Sequence, residues 1–149
     1  MSNKIKDNTE VMDNTTYNYV LTRSDWINAI KCKDGTVVRY IDILGIRYKI
    51  IVTSAYDAFP KLKCGMDAYT DKTTKEIVVD SFKYGVNDKE SVGNLYKYIC
   101  DLIRHEVVHS FLRESGLDVC CNWATEEMVD WVAIQLPKFF NALSNIKEE

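Results

Sequence analysis

One segment constrains the fold more than any other: residues 91–114, S-V-G-N-L-Y-K-Y-I-C-D-L-I-R-H-E-V-V-H-S-F-L-R-E. Leu95, Tyr98, Ile99, Leu102, Ile103, Glu106, Val107, Phe111 and Leu112 recur at the three- and four-residue spacings of an α-helix. Ser115-Gly116 follows as a stop signal. A surface helix needs one apolar stripe, whereas this one is apolar on more than one side. It therefore has to be central, with other elements packed around it.

The flanking sequence supplies those elements. Residues 1–20 are rich in Asn, Asp, Thr and Lys and have no apolar period, which predicts a mobile polar arm ahead of a single domain over 21–149. Ser24 reads as the N-cap of a short helix over 25–31, with Trp26 and Ile30 one turn apart on its inner side. Asp34-Gly35 marks a turn. The β-branched and aromatic run from Thr36, interrupted at Gly45, predicts two strands or one bent strand with a bulge. After a loop with Pro60, Cys64 and Gly65, residues 68–80 predict a short hairpin whose surer strand is 77–80. Beyond the long helix, a second starts near 123–125, runs through Val129, Val132, Ala133 and Leu136, and meets Pro137, where a kink or break is expected. The architecture is α+β: a small, mainly antiparallel sheet packed on a buried helix, with a second helix after it.

Composition narrows the partners. A chain of 149 residues is long enough to bury a core without staples, and a net charge of -3 gives no attraction to nucleic acid or acidic lipid. No apolar run approaches the roughly 20 residues that span a bilayer, and the start M-S-N-K-I-K-D-N has no apolar leader segment. The scattered Cys32, Cys64, Cys100, Cys120 and Cys121 read as reduced thiols of a cytoplasmic protein.

The central helix also holds both histidines of the chain, in His105-Glu106-Val107-Val108-His109. This is H-E-x-x-H. Residues i and i+4 lie one above the other on a helix, so both imidazoles can reach one zinc ion. Glu106, about 100° round the helix, is placed to act on a water as general base and then as general acid. Catalytic zinc takes three protein ligands and an open position, so a third donor is required. Glu126 is the first candidate, because it shares a helix face with Val129, Ala133 and Leu136 and therefore points inward. Asp130, one turn on, can hold the free ring nitrogen of a ligand histidine. Glu127 is the alternative, and the thiols of Cys120 and Cys121 in the connecting loop are a further one.

Taken in order, I-L-G-I-R-Y-K-I-I-V, A-Y-T-D-K-T-T-K-E-I-V-V-D, R-H-E-V-V-H-S-F-L-R-E-S-G-L and T-E-E-M-V-D-W-V-A-I-Q-L-P resemble small zinc metallopeptidases of the ImmA/IrrE type, found in prophages and mobile elements. The resemblance covers about residues 43–137. It implies a minimal, gluzincin-like zincin fold and zinc-dependent hydrolysis of a protein or peptide substrate, as in relatives that cleave a repressor. In that family the ligand glutamate is followed four residues later by Asn or Asp and then by a small residue, which here falls on Glu126, Asp130 and Ala133. Tyr69, with Tyr48 as alternative, is the candidate donor to the oxyanion. Residues 77–80 are the candidate edge strand that binds substrate by strand addition. The alternative function is a non-catalytic zincin-fold module, in a toxin system or elsewhere, acting through a protein partner.

Overall fold

The computed structural model describes residues 22–31, 35–85 and 93–146. The expected arm over 1–20, Cys32, Asp34 and Ser91 lie outside the described residues. Gly93 and Asn94 are described and not helical, so the long helix expected from about Ser91 starts at Leu95, where the Asn94 side chain caps it. The elements run α1 (Arg23–Lys31), β1 (Thr36–Ile43), β2 (Ile46–Thr53), α2 (Pro60–Lys63), β3 (Ala68–Asp71), β4 (Glu76–Asp80), α3 (Leu95–Glu114), α4 (Leu117–Cys120) and α5 (Glu126–Leu143). The chain is α+β, with a four-stranded mixed sheet of order β1-β2-β4-β3. β1/β2 and β3/β4 are antiparallel, and β2/β4 is parallel.

Local chemistry accounts for the element ends. α1 begins two residues before the expected start. Thr22 caps it in place of Ser24: its hydroxyl accepts from Asp25 N at 3.2 Å, while Thr22 N donates to Asp25 Oδ2 at 2.9 Å. That backbone N–H from Thr22, ahead of the other causes, holds the Asp25 carboxyl below its ordinary pKa. Trp26 Nε1 donates to Ser81 O at 3.0 Å, fastening α1 beside the end of β4. The β1–β2 run is a hairpin rather than a bulged strand. Leu44 and Gly45 both take positive φ (53° and 81°), the backbone of the tight turns whose twist suits a hairpin. Asn94 Oδ1 caps α3 by accepting from Lys97 N at 3.0 Å, and Gly116 with φ 76° takes the left-handed conformation just beyond its end. Thr125 caps α5 by accepting from Met128 N at 3.3 Å. The break expected at Pro137 does not occur: α5 runs through the proline to Leu143. Proline removes one N–H from the helix ladder, and the helix turns on both sides of it persist.

Strand alternation distributes the core. Tyr48, Ile50 and Val52 of β2 and Ile77 and Val79 of β4 point to one face of the sheet, where they pack with Ile99 and Val107 of α3. Ile51 and Val78 point to the other face, onto Leu62 of α2 with Tyr56, Phe59 and Tyr69 around it. The two central strands are thus covered on both sides, which explains their continuous apolar runs. The far side of α3 presents Val108 and Leu112 to Val129 and Ala133 of α5. Sheet on one side and α5 on the other is why α3 has no single apolar stripe. Ile77 is fully buried between sheet and α3. Truncation by Ile77→Ala is expected to cost about 2–5 kcal/mol in urea denaturation, and a loss under 1 kcal/mol would contradict this packing. Among the described residues, no helix is long and apolar enough to cross a membrane.

Candidate metal centre

His105 and His109 project from the middle of α3, one turn apart, toward the first turn of α5. The apolar contact of Val108 and Leu112 with Val129 and Ala133 sets the spacing of the two helices and so brings Glu126 onto the histidines. His105 Nε2 and His109 Nε2 are 3.0 Å apart, and Glu126 Oε2 lies 3.3 Å from each. Donors held at 2.0–2.1 Å around a tetrahedral ion are about 3.3–3.4 Å from one another, so this triangle has the dimensions of three such ligands. Among the described residues it is the one group of three His, Cys, Asp or Glu donors close enough to hold a metal ion.

Behind the triangle, His105 Nδ1 is 2.7 Å from Asp130 Oδ1. A carboxylate only accepts, so the Nδ1 proton stays on that side and the Nε2 lone pair is left facing Glu126 and His109. Side-chain exposures of 23% for His105, 33% for His109 and 74% for Glu126 place the group at the surface. Glu126 therefore does not point into the core as its helix-face neighbours imply; it reaches across the mouth of the groove between α3 and α5. A cavity of about 330 Å³ continues from His105 along that groove, lined by Tyr98, Asp101, Leu102, Asp130, Ala133 and Ile134.

Glu106 lies next to this group without belonging to it. It is buried, and its Oε2 accepts from the Thr70 hydroxyl of β3 at 2.6 Å. Among the described residues no donor meets Oε1.

Several expected site residues are elsewhere. Glu127 is exposed and outside the donor group. Cys120 and Cys121 are also outside it: Cys120 Sγ contacts Gly116 O at 3.1 Å and Cys121 Sγ at 3.7 Å. Tyr69 is on the wrong face of the sheet. Opposite Val78, it packs with the Leu62 cluster, and Lys61 Nζ sits 4.6 Å above its ring. Burial raises its pKa, followed by the charges of Asp71 and Glu76, which weakens it further as a proton donor. Tyr48 faces α3 but is spent: fully buried, it donates to Glu114 Oε1 at 2.5 Å, two turns beyond Glu106. Nor are residues 77–80 an edge strand, because β4 is paired on both sides; the edges are β1 and β3, and β3 is the one that reaches Glu106, through Thr70. The contact that sequence reasoning missed is Thr70, one residue from Tyr69. Its signal was the alternation of A-Y-T-D, which cannot be assigned to a face until the partner strand is known.

The chain matches no protein-family model, and no curated protein or solved structure is significantly similar to it.

Proposed function

We propose that this chain is a zinc metallopeptidase of zincin type, hydrolysing peptide bonds in a protein substrate. The observation that carries the reading is the triangle of His105 Nε2, His109 Nε2 and Glu126 Oε2 beside the buried carboxylate of Glu106. Two imidazoles and one carboxylate are a donor set of catalytic zinc, and the described residues bring no fourth donor to them. When bound, zinc supplies Lewis acidity toward water and the scissile carbonyl. The rest falls to the chain. His105, His109 and Glu126 hold the ion, and Asp130 fixes the tautomer and ring plane of His105. Glu106 Oε1 accepts the proton of the attacking water and returns it to the departing amide nitrogen. The substrate backbone lies along the open edge of β3, with side chains reaching the groove beside His105. Neither tyrosine put forward from sequence serves as oxyanion donor.

In this reading the protein acts in the cytoplasm, where its scattered thiols stay reduced. Control of a prophage or mobile element rests on the sequence resemblance, and proteomic comparison of hosts carrying wild type or Glu106→Gln tests it. A set of host proteins cleaved only with wild type is expected; identical proteomes would remove the case for that role.

Asp130 offers a separate check. Its carboxylate makes one charge-assisted bond to a ligand histidine, and such partners affect metal affinity about 10–100-fold when removed. Asp130→Ala is expected to weaken zinc binding by that factor in competition with a chromogenic chelator. Unchanged affinity would mean that the His105 contact does not serve the metal.

A further inference from the structure

We infer that Thr70 is the positioning residue for Glu106, and that it ties the base to the strand along which substrate binds. The inference rests on the peptidase reading above and concerns a residue outside the H-E-x-x-H helix. Thr70 has one hydroxyl proton, and it is committed to Glu106 Oε2 at 2.6 Å. That bond leaves Oε1 as the oxygen free to take a proton and sets its direction. A buried glutamate with three side-chain torsions needs such a restraint to present one oxygen consistently.

The main chain of the same residue faces the other way. Asp80 N donates to Asp67 O at 2.8 Å, so Asp67 and Asp80 form a hydrogen-bonded pair of the β3–β4 ladder. The register then makes Tyr69↔Val78 and Asp71↔Glu76 hydrogen-bonded pairs, and Ala68↔Val79 and Thr70↔Ile77 the alternate ones. Thr70 N–H and C=O therefore point away from β4, to the open edge of the sheet. Ser81 N donating to Thr53 O fits the same alternation on the far side of β4, where odd-numbered residues face β2. One residue thus offers its backbone to an added strand and its side chain to the base. An extended peptide paired there would hold Thr70, and through its hydroxyl Glu106, in place as the scissile bond is aligned.

The test compares Thr70→Val, Thr70→Ser and Glu106→Gln with wild type, all zinc-loaded. Valine keeps shape and strand preference while removing the donor; serine restores the donor. The probe is a pool of internally quenched decapeptides with randomised central residues, followed by kinetics on the single peptide that wild type cleaves fastest. For Thr70→Val, kcat should fall about 10- to 100-fold, with KM within about twofold of wild type and zinc content unchanged. Thr70→Ser should stay within about threefold of wild type in kcat. Crystal structures provide a readout independent of turnover: the Glu106 carboxylate should shift or lose order in Thr70→Val and keep its place in Thr70→Ser. A Thr70→Val protein with wild-type kcat and an unmoved Glu106 overturns the inference, as does a serine variant that loses as much as valine. If Glu106→Gln is inactive in that case, the peptidase reading survives. Full activity of Glu106→Gln, or no cleavage by wild type, sinks both.

Discussion

Glu106→Gln is expected to lower peptide-bond hydrolysis by about 10²- to 10⁴-fold, the usual contribution of a positioned general acid–base. Glutamine keeps the shape of glutamate, and its amide oxygen can still accept the Thr70 hydroxyl, so the side chain should stay where it is. What it loses is the capacity to take up a proton. Glu106 is outside the donor triangle, so zinc content measured by mass spectrometry should remain at the wild-type level. The combination of lost turnover and retained metal separates a base from a ligand. Loss of both would make Glu106 a contributor to the metal site, and undiminished cleavage would sink the mechanism.

Removing His109 should have a different signature. His109→Ala leaves His105 and Glu126 as donors and opens the triangle that fits a tetrahedral ion. The expected fall in zinc affinity exceeds the roughly 10- to 100-fold attributed to an outer partner, and hydrolysis should vanish with the metal. The fold should nevertheless survive. The core of the domain is the packing of β2 and β4 on α3, and α3 meets α5 through Val108, Leu112, Val129 and Ala133. None of those contacts passes through the metal group, which sits at the surface. Chelation of wild-type protein should therefore abolish activity while far-ultraviolet circular dichroism stays the same, with melting temperature lowered only by lost ligand linkage. Unfolding on chelation would instead identify a structural metal, and favour the reading of the chain as a binding module.

Much of this is legible in the sequence. The long helix announced its central place through apolar residues on several sides, and its end at Ser115-Gly116 was legible because chain termination of a helix is local chemistry. The hairpin over 68–80 and the second helix were legible for the same reason. Other details were hidden because they depend on neighbours. Leu44 takes a positive φ that no leucine advertises, so hairpin and bulge could not be told apart at Gly45. Pro137 argues for a kink or a break, and α5 continues through it without a break. The order β1-β2-β4-β3 places the apolar β4 inside the sheet and leaves β1 and β3 as its edges.

The site divides along the same line. His105 and His109 belong together on sequence grounds alone, since the helix period places i and i+4 on one face whatever surrounds them. The Glu126–Asp130 spacing is local in the same sense. The sequence ranks Glu126 ahead of Glu127, but for a reason the structure overturns: Glu126 is exposed rather than inward, and it meets the histidines through the distance and rotation at which α5 packs on α3. That Thr70 faces Glu106 while Tyr69 faces the Leu62 cluster required the strand order and register, because a shift of one residue turns every side chain to the opposite face. Periodicity is written in the chain; the meeting of two separate elements is set by how their apolar faces fit.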